Sequence, residues 1–67
     1  MWSRNLTELS RRYFEVGGCN VKSEDGKFGL LIVNGANSLY EISIMDSDAV
    51  LTFNSVDELI RTGWAVD

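Results

Sequence analysis

Apolar positions recur at two different periods along this chain, and the change of period marks its elements. Near the start, Leu6, Leu9, Tyr13 and Val16 fall three and four apart, and Trp2 extends the series backwards. That spacing predicts an amphipathic helix over residues 5–15. Asn5 is placed to cap it, with Glu8 three positions on as in a capping box. Gly17-Gly18 ends it, because glycine takes the left-handed conformation at low cost.

The period then drops to two. Cys19 to Glu24 and Lys27 to Val33 flank Asp25-Gly26, a pairing that predicts a two-residue hairpin turn. That turn would pair Ser23 with Phe28, Val21 with Leu30 and Cys19 with Ile32. Residues 34–38 form a second turn, and Leu39 to Met45 a third strand in which Tyr40, Ile42 and Ile44 alternate. A five-residue loop would pair Ile32 with Tyr40, Leu30 with Ile42 and Phe28 with Ile44. Loop parity matters, because a slip of one residue turns every side chain over. Asp46 to Asp48 turns the chain into a fourth strand with Ala49, Leu51 and Phe53 facing the same way. Asn54 or Ser55 caps a last short helix. Val56, Leu59 and Ile60 form its apolar face, Gly63 ends it, and Trp64 to Val66 form an extended tail that packs back.

The resulting expectation is one α+β domain over residues 1–67: an N-terminal helix, an antiparallel four-stranded meander and a short C-terminal helix. Its core would hold Leu6, Leu9, Tyr13, Val21, Phe28, Leu30, Ile32, Ile42, Ile44, Leu51, Phe53, Leu59, Ile60 and Trp64. The opposite sheet face would then carry Leu31, Val33, Leu39, Met45 and Val50. Five apolar residues on a face that should be polar point either to a protein-binding or homodimer surface or to cover by one helix or the Trp64 tail, with the interface favoured.

Composition narrows the chemistry. The 67 residues are 45% hydrophobic and 24% charged, too apolar and too weakly charged for a disordered chain. There is no His and one cysteine, Cys19. A Ser-His-Asp or Cys-His nucleophile, an internal disulfide and a multi-thiolate zinc site are therefore excluded within one chain. The longest apolar run, Gly29 to Val33, is far shorter than the roughly 20 residues of a membrane span. Met1 opens no basic-then-apolar leader, which makes the cytoplasm the expected compartment. The expectation is a non-enzymatic protein with no cofactor.

Net charge is −4, concentrated in the C-terminal half. An acidic half opposes non-specific nucleic-acid binding, which runs on phosphate neutralisation, despite Arg4, Arg11 and Arg12 near the start. Such charge first of all keeps a small domain in solution, and it also suits a protein partner with a basic surface. Glu41, Asp46 and Asp48 would then join Leu31, Val33, Leu39, Met45 and Val50 as partner-binding residues. As a cation site the same carboxylates match poorly, since Asp46-Ser47-Asp48 lacks the glycine and distal Glu of a calcium loop.

In length, acidity, helix-and-meander layout and the ending Ser-Val-Asp-Glu-Leu-Ile-Arg-Thr-Gly-Trp, the chain resembles small acidic accessory proteins of phages and mobile elements, including anti-CRISPR and other inhibitors. The resemblance implies an inhibitor or regulator of a larger nucleic-acid-handling protein and assigns no individual residue a role. The alternative expectation is a homo-oligomeric structural component assembled through the apolar sheet face.

Overall fold

A computed structural model describes residues 2–67; Met1, where the leader reading begins, lies outside the described residues. The chain order is α1 (Arg4–Val16), β1 (Cys19–Ser23), β2 (Phe28–Asn34), β3 (Leu39–Ile44), β4 (Val50–Phe53), α2 (Val56–Arg61) and β5 (Trp64–Val66). The strands form one antiparallel sheet in the order β4-β3-β2-β1-β5. The class is α+β, and the meander of the first four strands is as expected. The C-terminal tail is a fifth strand, paired to β1 through Val21–Val66 and Ser23–Trp64.

Helix α1 starts one residue earlier than its periodicity suggests. Its cap is Ser3, not Asn5: the Ser3 hydroxyl accepts the Leu6 N–H at 3.2 Å. Glu8 forms no capping box; it pairs with Arg4 at 3.6 Å. The buried face also differs. Ser10 and Phe14 are the buried residues of α1, whereas Leu9, Tyr13 and Val16 are exposed. Helix α2 follows the sequence reading more closely. Ser55 caps it by accepting the Glu58 N–H at 3.1 Å, and the Glu58 carboxylate reaches back to the Asn54 N–H at 3.2 Å.

Both loops around β2 have the opposite parity to the one expected. The first hairpin has a three-residue connection, Glu24 to Gly26. Ser23 and Lys27 close it, with the Ser23 N–H donating to the Lys27 carbonyl and the Lys27 N–H to the Ser23 hydroxyl, both at 2.9 Å. Gly26, at φ 92°, takes the left-handed position that ends such a loop. The second loop has four residues, Gly35 to Ser38, because Asn34 pairs with Leu39. Asn34 and Asn37 side chains accept the N–H groups of Ala36 and Leu39 there. One parity change turns β2 over and the second restores β3. Strand β2 alone is therefore inverted: Leu31 pairs with Cys19 and Ile42, and Val33 with Tyr40.

The core lies between this face and the two helices. Phe14, Val21, Leu31, Ile42, Phe53, Leu59 and Trp64 form one buried cluster, with Tyr40, Ile44, Val56 and Ile60 packed against it. Gly29 is buried on the same face because nothing larger fits. A Cβ there would lie 2.6 Å from the Ser43 carbonyl oxygen and 2.7 Å from Ile42 Cγ2.

Candidate functional site: the open sheet face

Helix α2 and Phe14 of α1 pack on one face of the sheet, α1 runs along the β5 edge, and the other face stays exposed over β2, β3 and β4. Inverting β2 exports its largest side chains. Phe28, Leu30 and Ile32 are 45%, 41% and 46% exposed on the central strand of the sheet. The register places further residues beside them. Leu30 pairs with Ser43, which pairs with Val50; Ile32 pairs with Glu41, which pairs with Thr52. The Met45 N–H donates to the Phe28 carbonyl at 2.8 Å and carries the ladder one step further. Met45 and Val50 are 60% and 55% exposed. Five large apolar side chains thus share one continuous solvent-facing patch, larger than the scattered hydrophobes of an ordinary surface.

The expected partner-binding residues divide into three groups. Leu39, Glu41, Met45 and Val50 lie on this open face. Asp46 and Asp48 are exposed in the turn between Met45 and Val50, at one end of the patch. Leu31 and Val33 do not belong to it. Leu31 is fully buried in the core, and Val33 stands on the core face, where Gly17 packs on it so closely that a Cβ would meet Val33 Cγ2 at 2.7 Å. Their places are taken by Phe28, Leu30 and Ile32, which hydrophobicity alone assigns to the core. The signal that separates the two sets is turn chemistry: Ser23 with Gly26, and Asn34 with Asn37, fix the loop lengths.

The face is asymmetric in charge and in cover. On the β1 side, Lys22 stands 5.2 Å from the Trp2 ring centroid and 3.9 Å from the Asp67 carboxylate. The Trp2 indole N–H is itself anchored on the Gly63 carbonyl at 2.7 Å. Lys27 is engaged by Asp25 at 2.7 Å in the hairpin. On the β3–β4 side, Glu41, Asp46 and Asp48 have no ion pair among the described residues. Glu41 is half-buried between Ile32 and Thr52.

The two sheet edges also differ. Beyond β5 lies α1, whose Ser10 hydroxyl accepts the outward N–H of Val66 at 2.9 Å and donates to the Leu6 carbonyl at 2.7 Å. Strand β4 is the free edge. Ile44 and Ala49 are a hydrogen-bonded pair at 3.0 Å, so by alternation the backbone groups of Val50 and Thr52 point away from β3.

Other candidate chemistry is weaker. Cys19 is half-buried, and burial pushes its thiol up from the ordinary value, which disfavours the reactive thiolate. Glu41, Asp46 and Asp48 do not form a cation site: among the described residues no three His, Cys, Asp or Glu side chains converge as metal ligands. Two of the three N-terminal arginines are occupied, Arg4 by Glu8 and Arg11 by Asp57 at 2.5 Å, so phosphate would have to displace these carboxylates. No helix among the described residues is long and apolar enough to cross a membrane.

Comparison with protein-family models, with curated proteins and with solved structures finds no match to this chain.

Proposed function

We propose that this chain is a non-enzymatic protein-docking domain whose docking surface is the open face of β2, β3 and β4. The observation that carries the reading is the exposure of Phe28, Leu30, Ile32, Met45 and Val50 together on that face. Left in water, such a surface costs about 25 cal/mol for each Å² of apolar area, which covering it recovers. A small acidic domain of this kind acts by occupying a surface of a larger protein, as an inhibitor or regulator does.

The test is capture by the immobilised chain from an extract of its own cells, beside a Leu30→Lys/Ile32→Glu double variant. The reading expects a partner held by the wild type and lost by the variant, with both proteins melting at the same temperature. A partner retained in full by the folded variant would place docking elsewhere.

Self-association is the second reading, favoured by the unguarded β4 edge beside the patch. Light scattering over a concentration series tests it: a mass that rises towards that of a dimer in the wild type and stays monomeric in Ile32→Glu supports it.

A further inference from the structure

We propose that the open strip receives a single amphipathic helix of a partner protein, with Lys or Arg side chains flanking its apolar stripe. This deepens, and rests on, the reading of the face as a docking surface.

Shape favours a helix. Three neighbouring strands span about 10 Å between their outer axes, and a β-strand of β2's length runs roughly 23 Å. An α-helix is about 10–12 Å across, and roughly 15 residues of it cover that length. A whole second sheet would need the β1–β5 side as well, and there Trp2, Lys22 and Asp67 close together over the strands. An extended peptide added to the β4 edge would gain backbone hydrogen bonds yet leave Phe28, Leu30 and Ile32 in water.

Charge selects the kind of helix. The lysines nearest the face, Lys22 and Lys27, are held by Asp67 and Asp25, whereas Glu41, Asp46 and Asp48 make no ion pair among the described residues. Glu41, a half-buried residue without an ion pair among the described residues, gains from a cation brought to it. A second copy of this chain would bring the same three carboxylates to the contact and gain no new cation. A helix carrying Lys or Arg beside Leu-type positions satisfies both the apolar strip and its acidic flank. The strip is narrow, so the buried area falls at the low end for specific complexes, and binding should be weak and salt-sensitive.

Two synthetic 18-residue peptides provide the test. One carries an apolar stripe flanked by Lys, the other the same stripe flanked by Glu. Each is titrated into the isotopically labelled chain and followed by amide chemical shifts. The proposal expects the Lys peptide to shift Leu30, Ile32, Glu41 and Val50 while Phe14 and Leu59 stay in place. It expects the Glu peptide to bind at least tenfold more weakly. A Glu41→Gln/Asp46→Asn/Asp48→Asn variant should lose at least fivefold in affinity for the Lys peptide, and Ile32→Glu at least tenfold. Equal binding of the two peptides, or no shift on the open face at millimolar Lys peptide, overturns the helix inference. The docking reading stands or falls separately on the capture experiment with the Leu30→Lys/Ile32→Glu variant. A wild-type dimer dissolved by Ile32→Glu would overturn the helix as occupant and keep docking, with a second copy in its place.

Discussion

Gly29 is the residue on which the inverted strand depends. A side chain at this position would enter space already held by Ile42 and the Ser43 carbonyl, one of them backbone that cannot step aside. Gly29→Ala should destabilise the fold by about 1–3 kcal/mol, the usual cost of overpacking. Urea denaturation measures it, and an unchanged midpoint would show that the β2–β3 contact is looser than described. Asp25 illustrates a surface group with a local field. The Lys27 ammonium, bonded to its carboxylate, and then the Ser23 hydroxyl hold the Asp25 carboxyl below its ordinary 3.8. A folded value below the unfolded one means the contribution is present above the unfolded pKa. It is lost as the pH falls through the lowered folded value. The carboxyl is fully exposed, so the hairpin should respond locally. In an NMR titration the Asp25 midpoint should lie below 3.8 and move back towards it in Lys27→Gln.

Elements are held by a few polar contacts whose loss is measurable. The Ser10 hydroxyl is buried and satisfies the outward N–H of edge strand β5. Ser10→Ala leaves that N–H without its acceptor, and should cost about 1–3 kcal/mol. Faster hydrogen exchange at Val66 is the specific sign, since simple loss of helix stability would not single out that amide. Ser55→Ala removes the α2 cap and should cost about 1 kcal/mol by thermal unfolding. Both elements show how sequence legibility varies. The α2 cap was readable because Ser55 and Glu58 carry the capping spacing themselves. Ser10 was not, because a serine within a helix announces no partner until another strand is laid beside it. The α1 stripe misled for a related reason. Leu6, Leu9 and Tyr13 have the right period, but α1 packs towards the core through Phe14 and towards the β5 edge through Ser10.

At the scale of the whole molecule, α2 and Phe14 of α1 cover one face of the sheet and the strip over β2, β3 and β4 is left exposed. Under the docking proposal, stability and binding therefore rest on different residues. Leu30→Lys and Ile32→Glu change exposed positions, so the unfolding free energy should stay within the roughly ±0.5 kcal/mol typical of surface substitutions. Leu31→Ala, one residue along the same strand, empties a fully buried site and should cost about 2–5 kcal/mol. If instead Leu30 and Ile32 proved as costly as Leu31, the β2 register would be wrong and the open face with it. Comparative denaturation of these three variants is therefore the direct check on the site.

By itself, the sequence determined that there are two helices, where the first four strands lie, and that Val21, Ile42, Phe53, Leu59 and Trp64 point inward. Each of these follows from periodicity, capping spacing and glycine placement, all local properties. It also showed that one sheet face has more apolar residues than one core needs. Only the tertiary structure decided which residues those are. Two loops differ by one residue each from the expected lengths, and backbone N–H groups donating to the side chains of Ser23, Asn34 and Asn37 set those lengths. Strand side chains alternate with period two, so these small changes exchange Leu31 and Val33 for Phe28, Leu30 and Ile32. The tail became a strand for the same kind of reason: β1 offered Trp64 to Val66 an unpaired edge that exists only once the sheet has formed.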